Sequence, residues 1–227
     1  MTDVQKPHSV GAYDLIRGEI LQGALQPDER LRVADLNARY ALGLTPIREA
    51  LMRLTAEGLV VSENHRGARV RSASLDELRD LTATRQSIER LCLERAMADG
   101  DAAWEAEILR AFHVLSRTPL PLTPDDRDAA IAWEAHHRAF HFALVAACGS
   151  TWLLSFWNTL ADHSERYRML RLLRLADPAA AARRLNAEHE GLMTAVIARD
   201  VALACERMDR HLAATQDAVS RLMRAQD

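Results

Sequence analysis

Only one stretch of the 227-residue chain is spelled for strands. Leu59-Val60-Val61 is short and β-branched, residues 63–67 (Glu-Asn-His-Arg-Gly) read as a turn, and Ala68-Arg69-Val70-Arg71 alternates, so together they predict a two-stranded hairpin. Every other patterned segment is helical. The chain is therefore mainly α, with three helices ahead of the hairpin and only helices behind it.

Ahead of the hairpin, Val10, Tyr13, Ile16, Ile20 and Leu21 recur at helical spacing and predict a helix over 9–25, stopped by Gly23 and Pro27. A short helix over 33–40 follows, with Leu36 and Tyr40 facing inward, then a turn over 41–44. The third helix has a strong start signal. Thr45 is placed to cap its free N–H groups, and Pro46 suits the first helical position because its missing N–H would be unpaired there anyway. Ala50, Leu51 and Leu54 form its apolar stripe and Gly58 ends it. Three helices and a hairpin in this order predict a winged helix-turn-helix over 1–72.

Behind the hairpin, Ser74 and Glu77 form a capping box opening a helix to about 99, closed by Gly100. Further helices are predicted over 102–117, from the Thr123-Pro124-Asp125-Asp126 start to 148, over 151–175, from Asp177-Pro178 to 198, and from Asp200 to 224. Six helices in this span predict an antiparallel bundle over 73–227.

Hydrophobic residues make up 48% of the chain, enough for two cores, yet apolar runs such as 143–148 fall far short of the roughly 20 residues that cross a bilayer. The first ten residues lack the apolar core of a secretory signal. The three cysteines, Cys92, Cys148 and Cys205, are odd in number and widely spaced, which predicts buried, reduced thiols in a cytoplasmic protein. Net charge is −3, and the first 72 residues carry ten basic against nine acidic groups, so bulk charge does not mark a nucleic-acid binder. Residues 43–71 do carry local positive charge, with five arginines against three acids.

In a helix-turn-helix the second helix enters the major groove of double-stranded DNA, its first turn against base edges and its flanks against phosphates. That places Thr45, Arg48 and Arg53 of the third helix, and His65, Arg66 and Gly67 of the hairpin tip, as candidate DNA contacts. Arg48 is suited to a bidentate pair with guanine or to a phosphate. The alternative for each arginine is an ion pair on the protein surface.

The bundle carries a second constellation. His137 and His141 are four residues apart and share a helix face, while His189 and His211 sit among apolar residues at core spacing on the last two helices. Neutral imidazoles brought together in a bundle core suit a divalent ion, zinc or nickel, although a buried histidine can also just satisfy a backbone carbonyl. His113, His136 and His163 read as bystanders. Arg85, Arg166 and Arg168 are candidates for holding an acidic effector. For Arg85 the alternative is an intrahelical pair with Glu89, and of Arg166 and Arg168, two apart on a helix, one should face in and one out. A metal-dependent enzyme built on the bundle is the rival reading, as is a bundle with no ligand. No HExxH-type motif is present; the acids beside the histidines in sequence are Glu134, Glu188 and Glu190, of which Glu188 and Glu190 flank His189 and should point away from it.

The segment ILQGALQPDERLRVADLNARYALGLTPIREALMRLTAEGLV with the wing RGARV resembles the DNA-binding domain of the GntR family of bacterial repressors. The resemblance implies a homodimer on a palindromic operator. Leu44 and Ala34 stand where many members carry DNA-contacting arginines. AFHFALVAACGS and EHEGLMTAVIARDVALACERMDRHL resemble the FCD ligand-binding domain of the FadR-type branch, in which one aspartate and three histidines hold a divalent metal and a carboxylate effector completes its shell. His141, His189 and His211 match the three histidines, and His137 stands in place of the aspartate. The spelling RYALGLTPIREAL, AACGSTWLL and ERYR resembles a carbon-starvation-induced branch whose effector is glutarate.

Overall fold

A computed structural model of the chain describes residues 11–63 and 67–225. The chain divides into two compact units, Met1–Ala73 and Ser74–Asp227.

The first unit runs α1 (Ala12–Leu21), β1 (Arg30–Leu31), α2 (Val33–Tyr40), α3 (Leu44–Ala56), β2 (Val60–Glu63) and β3 (Gly67–Val70). The hairpin is wider than its sequence suggests. β3 pairs antiparallel with β2 (Val60 opposite Val70) and also with β1 (Arg30 opposite Arg69), giving the order β1-β3-β2. Two residues are too few to show alternation, so β1 leaves no trace in the pattern. Ile16, Ile20, Leu36, Ile47, Leu54, Leu59 and Val70 close the core. α1 stops at Leu21, four residues earlier than predicted, because the chain turns at Gly23 with φ +69°; Val10 lies outside the described residues.

The turn between α2 and α3 corrects the expected cap. α3 begins at Leu44 with Gly43 as its N-cap, so Thr45 lies inside the first turn and caps nothing. Ala41 (φ 54°) and Gly43 (φ 88°) are both left-handed, and the Gly43 N–H donates to Asn37 Oδ1 at 2.8 Å. Backbone geometry that favours glycine, rather than a hydroxyl, sets the angle at which α3 starts.

The second unit contains α4 (Leu75–Asp99), α5 (Ala102–Arg117), α6 (Arg127–Val145), α7 (Thr151–Leu172), α8 (Pro178–Ile197) and α9 (Val201–Arg224). Ser74, Asp101, Ser150, Asp177 and Asp200 each accept the N–H three residues ahead, which starts five of these helices as their sequences predict. α6 starts later than expected. Thr123 and Asp126 close a turn through Asp126 N–H to Thr123 O, and the helix opens at Arg127. The capping box at α4 is half formed. The Glu77 carboxylate accepts from the Tyr167 hydroxyl at 2.6 Å, and that hydroxyl takes the Ser74 N–H at 3.3 Å. α4 packs along α9 and α7, α5 against α6 and α8, and α8 against α9. The core between them holds Leu93, Ile108, Phe140, Leu144 and Trp157. All three cysteines are buried and free. No helix among the described residues is long and apolar enough to cross a membrane.

Gly100 ends α4 for a reason its sequence position does not show. Its φ is −67°, open to any residue, but an added Cβ would lie 2.2 Å from Trp104 Cε3 and 2.7 Å from the Ala96 carbonyl oxygen. Trp104 cannot swing aside, because its indole N–H is bonded to Ala143 O at 2.7 Å in the core. Gly100→Ala is therefore expected to cost about 1–3 kcal/mol by overpacking, read as a lower denaturant midpoint. An unchanged midpoint would show that the ring yields freely.

Candidate functional site

His137 and His141 on α6, His189 on α8 and His211 on α9 meet in the bundle core. All four are buried, and each offers a ring nitrogen within 4.8 Å of the others. Ring centroids lie 4.4 Å apart for His137–His141, 4.8 Å for His189–His211 and 5.1 Å for His141–His211. Trp133 stacks on His137 at 4.7 Å, and Phe140 meets His141 and His189 edge-on. Both nitrogens of His141 and of His189, and Nδ1 of His137, are buried without a hydrogen-bond partner. A buried polar atom left unpaired costs about 1–3 kcal/mol. No backbone carbonyl takes these nitrogens, so the residues fit a divalent ion better than they fit an ordinary core. Burial, reinforced by neighbouring positive groups, holds His137, His141 and His189 well below the usual 6.5, which keeps them in the neutral form that ligates metal.

His137 and His211 also line a cavity of about 30 Å³, together with Thr82, Arg85, Tyr167 and Arg168. Arg85 is paired with Glu89 at 3.1 Å, both side chains buried, and Arg168 forks onto the buried Glu134 through Nε at 3.0 Å. The Nη1 of Arg168 is buried with no partner. Arg166 and Arg168 do not divide into one inward and one outward: both are buried, because α7 is packed on both sides. They diverge instead, Arg168 to the cavity and Arg166 to Glu77 at 3.5 Å, so Arg166 does not line the cavity. Glu188 does point away from His189, but its carboxylate reaches across to His211 Nδ1 at 2.9 Å. Spacing gives no hint of that contact, whereas Glu134 lies three residues before His137 on the same helix face and was legible as a neighbour.

In the first unit, Thr45 and Arg48 are exposed at the start of α3, and Arg48 has no side-chain partner among the described residues. Arg53 lies over the Tyr13 ring at 3.6 Å and pairs with Glu57 at 3.3 Å while staying largely exposed. Gly67 opens β3. His65 and Arg66 lie outside the described residues.

Comparison with known proteins matches residues 9–70 to the family described as bacterial regulatory proteins, gntR family, and residues 80–214 to the FCD domain. The HTH-type transcriptional repressor GlaR of Escherichia coli (strain K12) is 40% identical over 204 residues, covering 90% of this chain and 92% of the relative. The uncharacterized HTH-type transcriptional regulator BphR of Paraburkholderia xenovorans (strain LB400) is 35% identical over 200 residues, 88% of this chain and 80% of its own. Among solved structures, E. coli McbR/YncC shares the fold with a TM-score of 0.72 at 19% identity, over 90% of this chain and 94% of that one.

The buried imidazoles make a stability prediction with a definite sign. Unfolded histidines bind protons below about pH 6.5, and these three do not when folded, so stability falls as pH drops below that value. Glu165 acts oppositely. Burial, with Glu134 nearby, pushes its carboxyl up to about 7, so the folded chain takes up that proton before the unfolded chain does. Three groups against one leave a net loss. Chelator-treated protein should melt earlier at pH 5.5 than at 7.5, and His189→Leu should flatten the dependence by about one proton, roughly 1.4 kcal/mol per pH unit. A slope that the substitution leaves unchanged would contradict this account.

Proposed function

The chain belongs to the gntR family of bacterial regulatory proteins, with an FCD domain as its helical bundle, and from that premise we propose that it is a repressor controlled by a small dicarboxylate bound beside a metal ion. The family and the relatives are transcriptional regulators, so the rival reading of a metal-dependent enzyme is set aside.

Operator DNA is read by α3 in this proposal. No side chain caps that helix, so its first N–H groups are free to meet a phosphate, and Arg48 stands exposed beside them without a competing acid. Thr45 and the wing around Gly67, with His65 and Arg66, supply the remaining contacts, and a homodimer places two copies on half-sites about one helical turn apart. Arg53 contributes through its exposed face while Tyr13 and Glu57 hold it.

His137, His141, His189 and His211 hold the ion, zinc or nickel. Five buried, unpartnered ring nitrogens are the observation that carries this reading. A bound divalent ion supplies positive charge that attracts a carboxylate. Around it, the chain's own residues keep the cavity wall neutral: Glu89 neutralises Arg85 and Glu134 neutralises Arg168. The spare Arg168 Nη1 can donate to a second carboxylate without giving up Glu134. Arg166, committed to Glu77, supports the wall from behind. The resemblance to the carbon-starvation-induced, glutarate-responsive (CsiR) branch supplies the choice of five carbons. Binding at this cavity would bias the spacing of the two DNA-reading units and so change operator affinity.

Two measurements test the proposal. In a gel-shift assay at physiological salt, Arg48→Ala should abolish specific operator binding and leave the melting temperature unchanged; wild-type affinity would take Arg48 out of the interface. In titration calorimetry, glutarate should bind zinc-loaded protein and not chelator-stripped protein, and Arg168→Lys, which keeps the charge but loses the fork, should weaken it about tenfold. Equal binding to both forms would reduce the ion to a structural role.

A further inference from the structure

Among the described residues, a single ring nitrogen of the histidine cluster has a hydrogen-bond partner: His211 Nδ1, 2.9 Å from Glu188 Oε2. Glu188 belongs to α8, next in sequence to His189, yet its carboxylate crosses to α9. Its other oxygen faces Arg184 Nε at 3.5 Å, one turn back on α8. Outside them lies a groove of about 430 Å³ between α8 and α9, lined by Arg184, Glu188, Arg207, Arg210 and His211. His211 thus stands in the wall between that groove and the inner cavity, lining both.

We propose that Glu188 is the positioning residue of the metal centre, fixing the His211 ring from its outer side so that Nε2 faces the other three histidines. The inference rests on the metal-centre reading above. A carboxylate accepting from Nδ1–H keeps the proton on that nitrogen, leaves the Nε2 lone pair free and raises the basicity of the ring as a ligand. The other histidines lack such a partner. Glu134 comes within 3.7 Å of His137 Nδ1, too long for a hydrogen bond, and its oxygens are already occupied by Arg168. His141 and His189 have no partner on either nitrogen. One ligand of four is therefore oriented in advance, and it is the one whose outer support can be reached from solvent: Glu188 is 27% exposed and Arg184 58%.

The test is chelator competition for Zn2+, with the visible spectrum of the Co2+ form as a second readout, on full-length wild type, Glu188→Ala, Glu188→Gln and Arg207→Ala. Arg207 shares the groove, with its guanidinium resting over Gly191, and is the control. Glu188→Ala should bind Zn2+ about 10–100-fold more weakly, with an altered Co2+ spectrum that a loss of stability alone would not produce. Glu188→Gln, whose amide oxygen can still accept from Nδ1–H, should fall between, and Arg207→Ala should match wild type. Wild-type affinity in Glu188→Ala overturns the positioning role while leaving the metal centre standing, and an equal loss in Arg207→Ala overturns it in favour of a groove-wide effect. If wild type binds neither ion, the metal-centre reading itself falls.

Discussion

Four imidazoles buried together, most of their nitrogens without protein partners, are the constraint around which the helical unit is arranged. Ordinary core histidines bond a carbonyl or a water. Here the rings face one another instead, enclosed by Trp133 and Phe140, and burial keeps three of them from taking a proton. Such an arrangement is costly as a bare core and economical as a ligand set. The cluster also ties α6, α8 and α9 to one point, so the relative placement of these helices becomes a single variable that one occupant can influence.

The charged residues beside the cluster follow from the same constraint. A lone buried guanidinium is far more expensive than a paired one, and Arg85 and Arg168 each have a buried glutamate. Pairing makes the wall of the cavity neutral while leaving donors pointed into it. It also explains why Arg166, two residues away, is no substitute. The helix carries it toward Glu77 and Tyr167, where it braces the start of α4.

Much of this was legible in the sequence, and what was not has physical causes. Start signals such as Ser74, Asp177-Pro178 and Asp200 are local, so the helix starts they govern could be read directly. The four histidines could be picked out because helical spacing puts His137 and His141 on one face and because His189 and His211 interrupt apolar stripes. Long-range pairings left no such mark. β1 is only two residues long, and Tyr167, 90 residues from Glu77, intercepts the reciprocal capping-box bond between the Glu77 carboxylate and the Ser74 N–H. The Glu188–His211 contact joins two helices, and adjacency to His189 pointed the wrong way. Gly43 and Gly100 show a related limit. One is fixed by a left-handed backbone and the other by an indole ring, and a glycine in a sequence reads the same in both cases.

Charge balance then narrows the kind of ligand the proposed site can accept. Burial holds His137, His141 and His189 neutral, and each buried arginine beside the cavity is matched by its own glutamate, so apart from Glu188, which is bonded to His211 and faces Arg184, the chain contributes no spare negative charge there. An aspartate at position 137 would have contributed one; this chain has histidine. A divalent ion would therefore bring into a low-dielectric core a charge that Glu188, shared with Arg184, offsets only in part. A carboxylate ligand would offset more of it, and a second carboxylate would give Arg168 Nη1 its missing acceptor. Size adds a second condition. A cavity of about 30 Å³ holds roughly two waters, less than a five-carbon diacid needs. Its walls come from α4, α7 and α9 as well as from the cluster, so room for such a ligand depends on how closely those helices and their side chains pack.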